Sequence, residues 1–543
     1  MSKQINIKKI IPIDKIEKVD FSGKVYALKI KNDPSYCLSD GILSSNCDLP
    51  DIDIDFEHKK RDQVRQYLIK KYGENNVAGI STFLEMKGKA TVRDVSRVFD
   101  IPLKEADAFA KAIEYGDEKS SINEMLRTTR EGKIFKSKYP LQAKYSSKLE
   151  GTIKSTGQHA AAVIISPRNL KDNGIANLCR RGKDRTIVIN WDMEDAEYMG
   201  LVKLDILGLN TLSILSETNR LIEENYGKKI KFHKIKPVNP FVFKILTKGK
   251  TVGIFQLSTP LSTDICKRTK IDTFEDIASV LAIARPGALH SGMTEDFINR
   301  KHGKKWKTKN SLYEKITEKT YGVLIYQEQV MEVFHKVAGL PYSVADNIRK
   351  IIGKKRDASE FEQYKEQFLK GCLEKRTFNK EEVEWFWGML LECSSYLFNR
   401  SHAIEYAMLA YWTAWTKYFY PTEFICASLT CGEETKKEEF IEEAYRMGLK
   451  IIPPKIGISD AIKWKAKNNT LYCPFIEIKG VGLSTAQKCI EKTLPNKIGF
   501  FELFAQKEIE SKTKIDKILN EIKAFDRKAI PKNINQYFAF NLK

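Results

Sequence analysis

The sequence predicts a multidomain protein in which a small N-terminal all-β segment is followed by α/β and mostly helical domains. Its 543 residues suggest three to four domains at roughly 150 residues each. Residues 48–235 mix strand-like runs with helical periodicity, and residues 236–445 are mostly helical. Residues 1–46 instead alternate in short apolar and polar segments between turn signals.

The first 46 residues contain four strand-like segments: IKKIIPI, KVYALKI, SYCLS and GILSS. Turn signals lie at Phe21–Gly23 and Asn32–Pro34. Beyond them we expect a strand at Leu49–Phe56 and a helix at Arg61–Tyr72, with helices continuing to about residue 150. Further predicted strands are Ala160–Ser166, Thr186–Trp191 and Leu201–Ile206, and short strands precede a helical run at Ile478–Ile490.

The charge balance predicts a polyanionic partner. Lys and Arg number 91 against 70 Asp and Glu, which gives a formal net charge of +21 and favours nucleic acid. No apolar run approaches the roughly 18 residues of a membrane helix, and the first residues lack a signal-peptide core, so we expect no membrane association. Ten cysteines without a CxxC pair indicate a reducing cytoplasm, and HExxH is absent.

The strongest local signal is the run PDIDIDF at 50–56. In a strand, Asp51, Asp53 and Asp55 project from one face, and we expect the intervening apolar side chains to pack into the core: Ile52, Ile54 and Phe56. Like charges on one face persist most easily around a divalent cation such as Mg²⁺. The alternative is a strand with a solvated acidic face.

A second candidate strand, GLVKLDILGL at 200–209, carries Asp205 alone in an apolar run. A buried carboxylate is costly unless it is paired or bound to a metal, and Lys203 lies two residues earlier on the same face. Strand carboxylates with a nearby lysine are typical of a metal-dependent nucleotidyltransferase. The alternative places Asp205 as a helix or turn cap.

These motifs resemble the bacterial replicative DNA polymerase III alpha subunits, the C-family polymerases. Other motifs occur in the order of that family. They are TFLEMKGKATVRDVSRV (82–98), TGQHAAAVIISP (156–167), GIFQL (253–257), FEDIASVLAIARPGALHSGMTEDFINRKHG (274–303), YGVLIYQEQVM (321–331), ADNIRKIIGKK (345–355), FNRSHAIEYAMLAYWTAWTKYFYPTEF (398–424) and KGVG (479–482).

The resemblance implies a partial polymerase-beta-like nucleotidyltransferase palm with a helical thumb, helical fingers and a helix-hairpin-helix. The implied ranges are 47–60 and 155–235 for the palm, 61–154 for the thumb, 236–445 for the fingers, and 446–543 for the helix-hairpin-helix region with a basic tail. It implies that Asp51, Asp53 and Asp205 hold two Mg²⁺, with Asp55 ranked lower. The implied partners are primer-template DNA, deoxynucleoside triphosphates, the sliding clamp and other replisome proteins.

Basic and aromatic side chains supply candidate substrate contacts. Those for the triphosphate or the nucleotide pocket are Lys203, Arg285, Arg349, Lys350, Lys354, His402 and Tyr406. A solvated basic helix face explains Arg349 and its neighbours equally well, and a satisfied core pair explains His402 and Tyr406.

Candidate DNA-backbone contacts are Lys89, Arg93 and Arg97, which recur at helical spacing. Gly480 and Gly482 lie in the candidate helix-hairpin-helix turn, whose backbone N–H groups suit a phosphate. We also expect the basic runs Lys301–Lys309 and Arg349–Arg356 and the basic C-terminal tail to face DNA.

The junction GILSSNC at 41–47 resembles the C-terminal splice junction of an intein, and residues 21–41 resemble the preceding intein blocks. This implies a C-terminal split-intein fragment of the Hint type over residues 1–46. Cys47 supplies a thiolate nucleophile, and Asn46 cyclises to cleave the Asn46–Cys47 peptide. Asp33 and Ser45 would assist, although Pro34 stands where the family often has His and Ser45 also replaces a frequent His.

Together these features predict the C-terminal precursor of a split replicative DNA polymerase, joined by trans-splicing to an N-terminal split-intein and polymerase fragment. We expect this chain alone to lack polymerase activity, because the family's Gly-Ser triphosphate loop is not in it. The alternative is a non-catalytic DNA-binding or assembly subunit that associates with a partner without splicing.

Overall fold

The computed structural model describes residues 35–37, 43–45, 52–114, 121–166, 168–171, 176–182, 186–306, 310–353, 359–491 and 538. These residues belong to two compact units, 1–208 and 209–543. Within the first, β1 (Ser35–Cys37) and β2 (Leu43–Ser45) form an antiparallel pair in which Ser35 faces Ser45. This pair confirms strands in the SYCLS and GILSS segments, whereas both predicted turns lie outside the described residues.

A six-stranded mixed sheet organises the rest of the first unit. Its strands are β3 (Ile52–Glu57), β4 (Val77–Glu85), β5 (Ile153–Ile165), β6 (Leu178–Arg181), β7 (Thr186–Ile189) and β8 (Val202–Leu209). Their spatial order is β3-β8-β5-β4-β7-β6. Strand β5 runs antiparallel to β4 and β8, β6 runs antiparallel to β7, and β4 runs parallel to β7.

The predicted strands at 49–56, 160–166, 186–191 and 201–206 are confirmed by β3, β5, β7 and β8. The expectation of helices from residue 61 to about 150 is wrong at β4. Residues Val77–Ser81 of that strand are all buried, so the segment lacks the alternation that marks a half-exposed strand. Strand β6 was also not predicted.

Seven α-helices accompany the sheet in the described part of this unit. They are α1 (Arg61–Tyr72), α2 (Gly88–Val98), α3 (Leu103–Glu114), α4 (Ile122–Thr128), α5 (Arg130–Lys138), α6 (Pro140–Leu149) and α7 (Met193–Tyr198). Helix α1 matches its predicted bounds and lies on one sheet face, where Val64 and Leu68 pack near Phe56 and Ile206. The opposite face packs around Ala162 and Ile164. Helices α2 to α6 surround a separate core that contains Phe109 and Phe135.

The second unit is mostly helical, as predicted for residues 236–445. Its helices are α8 (Asn210–Tyr226), α9 (Pro240–Thr247), α10 (Pro260–Thr269), α11 (Phe274–Ile283), α12 (Pro286–His290), α13 (Met293–Lys301), α14 (Ser311–Thr317), α15 (Gln327–Glu332), α16 (Tyr342–Gly353), α17 (Ser359–Lys375), α18 (Lys380–Cys393), α19 (Arg400–Phe419), α20 (Pro421–Cys431), α21 (Lys437–Arg446) and α22 (Leu483–Glu491). A π-helical turn at Val333–Val337 follows α15.

Two apolar cores hold this unit together. The larger includes Phe334, Phe368, Phe386 and Trp387, whose rings pack on one another. The smaller surrounds Trp464 next to the three-stranded sheet β10-β11-β9, formed by β9 (Lys450–Ile452), β10 (Lys465–Lys467) and β11 (Thr470–Tyr472). These strands confirm the short strands expected in residues 446–495. Across the described ranges, no helix combines the length and apolarity needed to cross a bilayer.

Candidate active site

Strand β8 places Lys203 and Asp205 side by side on one sheet face. Lys203 Nζ donates to Asp205 Oδ2 at 3.2 Å and lies 3.1 Å from the sulfur of Met193 on α7. Both side chains are largely buried, with 10% and 14% of their surfaces exposed. The alternative that Asp205 caps a helix or turn is wrong, because the residue lies inside the strand opposite Ala162 of β5.

The second carboxylate oxygen of Asp205 has a different environment. Asp205 Oδ1 is buried and has no hydrogen-bond partner among the residues that the structure describes. Leaving a buried anionic oxygen without a partner is costly, so such an atom suits a cation or a donor supplied from outside the chain.

Strand β3 lies next to β8 at the edge of the sheet and carries Asp53 and Asp55. Phe56 packs on the α1 side of the sheet near Ile206. Because side chains alternate along a strand, Asp53 and Asp55 lie on the opposite face, the one that carries Asp205.

The expectation that Ile54 packs into the core is wrong: its side chain is 43% exposed. The reason is the edge position of β3, where a strand is covered on fewer sides. Asp51 lies outside the described residues. Within the described part of the chain, no three His, Cys, Asp or Glu side chains are grouped closely enough to hold a metal ion.

An irregularity in β5 shapes the same region. Gly79 of β4 pairs with Val163, but Ser81 pairs with Gln158, so β5 bulges between these pairs. In the bulge, His159 Nδ1 accepts the backbone N–H of Ala162 at 2.9 Å, and Arg61 Nη1 donates to the carbonyl of Ala160 at 3.0 Å.

His159 thus has a structural role, since its ring nitrogen accepts hydrogen bonds from backbone N–H groups of the bulge. The contribution of Arg61 was missed. It opens helix α1 after the acidic strand, but its partner is 99 residues away and no local pattern reveals it.

Lys89, Arg93 and Arg97 line one cleft of about 810 Å³ next to α2 and α3. Two of them already contact carboxylates. Arg93 Nε donates to Asp107 at 2.7 Å, and Arg97 Nη2 donates to Asp94 at 2.8 Å. Lys154 also pairs with Asp94 and, through that hydrogen bond, holds the pKa of this carboxyl below its ordinary value. The cleft is therefore a charged but partly compensated surface.

In the second unit, Arg285, His402 and Tyr406 belong to one contiguous cluster. The Arg285 guanidinium lies 4.4 Å from the Phe398 ring centroid and donates to the carbonyls of Ala282 and Tyr396. Phe398 contacts His402, whose ring lies 3.9 Å from that of Tyr406. Burial lowers the pKa of Arg285.

Arg349 and Lys350 both pair with Asp346 on α16, at 2.8 and 3.3 Å. Although burial raises the pKa of Asp346, these two cations hold it below its ordinary value. Lys354 lies outside the described residues.

Lys301 does not face DNA as expected, and that prediction is wrong. Its side chain is only 7% exposed, and Nζ contacts Asp272 at 2.6 Å and the buried Asp276 at 2.7 Å. Tyr321 OH lies 3.3 Å from the same nitrogen. A cation held by two carboxylates stabilises the fold and is not available to a phosphate.

The turn with Gly480 and Gly482 follows a three-residue 3₁₀ turn (Phe475–Glu477) and precedes α22. A Cβ atom on either glycine would meet nothing within 4 Å, so the backbone there is open to a ligand. Gly480 adopts a φ of +81°. A helix-hairpin-helix has an α-helix on each side of its turn. Here the element before the turn is only the three-residue 3₁₀ turn.

Of the candidate splicing residues, Ser45 ends β2, and Asp33, Asn46 and Cys47 lie outside the described residues. The eight cysteines in the described ranges are free thiols.

Comparison with known proteins identifies close relatives. Residues 43–208 match the family model "Bacterial DNA polymerase III alpha NTPase domain", and residues 211–376 match "Bacterial DNA polymerase III alpha subunit finger domain". The DNA polymerase III subunit alpha of Aquifex aeolicus (strain VF5) is 36% identical over 470 residues, which cover 82% of this chain and 40% of that protein.

Two further relatives carry the same name. The protein of Campylobacter jejuni subsp. jejuni serotype O:2 is 34% identical over 455 residues, which cover 82% of this chain and 37% of that protein. The protein of Bacillus subtilis (strain 168) is 34% identical over 448 residues, which cover 81% and 39%. The chain thus spans about two fifths of the length of the curated relatives it matches.

Proposed function

Because this chain belongs to the bacterial DNA polymerase III alpha subunit family, we propose that it supplies the nucleotidyl-transfer site of a replicative DNA polymerase. The observation that carries the proposal is the buried Asp205 carboxylate, with Lys203 on one oxygen and no partner for the other among the described residues. Asp53 and Asp55 of the neighbouring strand share its sheet face.

The described carboxylates do not form a metal site by themselves, and the proposed pair of Mg²⁺ ions also requires Asp51, which lies outside the described residues. Carboxylates are the ligands that this hard cation prefers, and the orphaned Asp205 Oδ1 offers a coordination position. Asp51, Asp53 and Asp205 would hold the ions, with Asp55 as a weaker candidate. When bound, two such ions activate an attacking hydroxyl and neutralise charge on a departing pyrophosphate.

The chain's own residues orient this site. Lys203 donates to one Asp205 oxygen, and the other oxygen has no partner among the described residues. The substrates in this proposal are primer-template DNA and a deoxynucleoside triphosphate. Arg349, Lys350 and Lys354 would contact phosphates, with Arg285, His402 and Tyr406 in the nucleotide pocket. Lys89, Arg93 and Arg97, with the turn at Gly480 and Gly482, would contact the DNA backbone. The sliding clamp stays a predicted partner.

A direct test has two readouts. Binding of Mn²⁺ to the purified chain is titrated by electron paramagnetic resonance, and we expect D205N and D53N to weaken it. Primer extension is then measured in a chimera in which residues 48–530 replace the matched region of the Aquifex aeolicus protein. Extension that is lost with D205N and retained with K370Q, which changes an exposed lysine of the second unit, supports the proposal. Unchanged Mn²⁺ binding and extension in D205N would contradict it.

We further propose that residues 1–46 are a C-terminal split-intein fragment that trans-splices Cys47 to an N-terminal polymerase fragment. The support is the GILSSNC junction together with the antiparallel pairing of β1 and β2, which ends at Ser45. The Cys47 thiolate would attack the thioester that joins the upstream polymerase fragment to the N-terminal intein half, and the thiol of that half would leave. The Asn46 side-chain nitrogen would then attack the Asn46 backbone carbonyl, which forms a succinimide and breaks the Asn46–Cys47 peptide bond. The freed α-amine of Cys47 then receives the acyl group.

Splicing is tested by mixing this chain with the protein of the same genome that carries an N-terminal intein half. Mass spectrometry should find a ligated product with the native chain and none with N46A/C47A. The assembly-subunit alternative gives a stable complex without ligation. A genome that encodes no such N-terminal half would contradict the splicing proposal.

A further inference from the structure

Residues 227–250 form an unusually basic segment. They contain eight lysines and no Asp, Glu or Arg. The segment is 24 residues long yet supplies a charge of +8 toward the net +21 of the whole chain. All eight lysine side chains are exposed. Exposed cations without intervening carboxylates repel one another, so the segment produces a strong local positive potential.

This segment is anchored along helix α19. The backbone N–H of Asn239 donates to the Tyr411 hydroxyl at 3.0 Å, and the rings of Phe243 and Tyr411 lie 5.8 Å apart. Phe232 packs on Trp412 at 5.7 Å. The buried Lys417 of α19 also donates to the carbonyl of Lys250. The lysines are therefore displayed from an ordered backbone.

Aromatic rings are exposed beside the lysines. Phe241 stacks on Tyr418 with ring centroids 5.7 Å apart and an angle of 8° between the planes. These side chains are 53% and 39% exposed, and the adjacent Phe419 is 42% exposed. A parallel aromatic pair that remains open to solvent offers flat faces on which another ring can stack.

We propose that residues 227–250, together with Tyr418 and Phe419, bind single-stranded DNA, and we name them the lysine–aromatic surface. Lysines contact phosphates without reading sequence, and aromatic rings stack with unpaired bases of any type. Duplex DNA fits less well because its bases are already stacked. The inference rests on the proposed function in one respect, namely that DNA is the polyanion the protein meets.

A solvated charged face is the simplest competing explanation, since lysine runs often serve solubility alone. Solubility does not require a stacked, parallel pair of exposed aromatic rings beside the lysines. Within the described residues, the ion pair between Lys229 Nζ and Glu223 is long, at 3.7 Å, and both side chains are exposed. The surface therefore has little internal compensation for its charge.

The test measures binding of fluorescein-labelled oligo(dT) to the full chain by fluorescence anisotropy across a salt series. We expect K231Q/K234Q/K236Q to weaken binding roughly tenfold and to reduce the slope of log Kd against log salt by about two. The matched control K370Q/K380Q/K436Q removes three exposed lysines elsewhere in the same unit and should leave both values unchanged.

The aromatic contribution is tested separately. F241L should weaken oligo(dT) binding roughly tenfold, whereas F241Y keeps a ring and should retain it. Melting temperatures confirm that each variant folds. Equal losses in both lysine triples, or wild-type binding by F241L, would overturn the proposal, as would a loss of duplex or heparin binding in K231Q/K234Q/K236Q as large as its loss of oligo(dT) binding. D205N should bind like the wild type, so a failed polymerase assay and a failed binding assay are distinguishable.

Discussion

The Lys203 ammonium lies 3.2 Å from one oxygen of Asp205, two residues along the same strand, while the other oxygen has no partner among the described residues. The lysine therefore satisfies half of a carboxylate and holds it in one orientation. This arrangement keeps a charged group in a largely buried position and makes it ready for a second cation.

Removing Lys203 should destabilise the protein. K203M leaves Asp205 buried without its cation, and we expect a loss of about 3 kcal/mol in the free energy of unfolding, measured by urea denaturation. K203M/D205N should recover most of that loss. K60M is the matched control, because it breaks an exposed pair with Glu57 and should cost less than about 1 kcal/mol. Additive losses in the double variant would contradict the coupling.

The Lys301 cluster predicts a specific pH dependence. Although burial lowers the pKa of Lys301, the carboxylates of Asp272 and Asp276 raise it above its ordinary value. Its stabilisation is fully present below the unfolded lysine pKa of about 10.4 and is lost as pH rises through the higher folded-state pKa. K301M should cost about 3–5 kcal/mol between about pH 5 and pH 10, and progressively less above that range.

At acid pH, the same cluster loses stability as the pH falls, because Asp272 becomes protonated. Burial raises the pKa of Asp272, but hydrogen bonding to Lys301 holds it below its ordinary value. Its stabilisation is present above about pH 3.9 and is lost as pH falls through the folded-state pKa. Urea denaturation of the wild type and of K301M across this pH range measures the loss of stabilisation at alkaline pH and at acid pH. A wild-type advantage that grew above pH 10.5 would refute the assignment.

Gly253 should tolerate no side chain. It has a φ of +76°, and an added Cβ atom would lie 2.8 Å from the Phe440 ring and 3.0 Å from the Phe424 ring. We expect G253A to cost about 3 kcal/mol, from left-handed strain and overpacking together. G448A is the control, since Gly448 has a φ of +75° with nothing within 4 Å of its Cβ position. Equal losses of thermal stability would exclude the packing contribution.

In the cleft near α2, Asp94 should oppose DNA binding. Its carboxylate pairs with Arg97 and Lys154, and its lowered pKa keeps it charged at neutral pH. D94N releases both cations, so we expect tighter duplex binding and a salt slope steeper by about one. D195N changes an exposed carboxylate elsewhere and makes the same net charge change, so it should have little effect. Weaker binding by D94N would count against a phosphate-binding role.

Local periodicity predicted much of this fold. Strand β3 and helix α1 follow directly from alternation and 3.6-residue spacing, and the Lys203–Asp205 pair follows from the two-residue repeat of a strand. Strand β4 escaped prediction because it is buried along its first half and does not alternate. Lys301 was misjudged because its partner Asp276 is 25 residues away and only the tertiary fold brings them together.

Strand β3 ends the order of the six-stranded sheet, and there it carries Asp53 and Asp55. An edge strand offers unpaired backbone groups to any other extended chain, which invites aggregation. Carboxylates on such a strand make that pairing electrostatically unfavourable, because a second copy would bring like charges together. The same side chains that suit a divalent cation thus also protect the protein against self-association. We therefore expect that neutralising both would lower solubility.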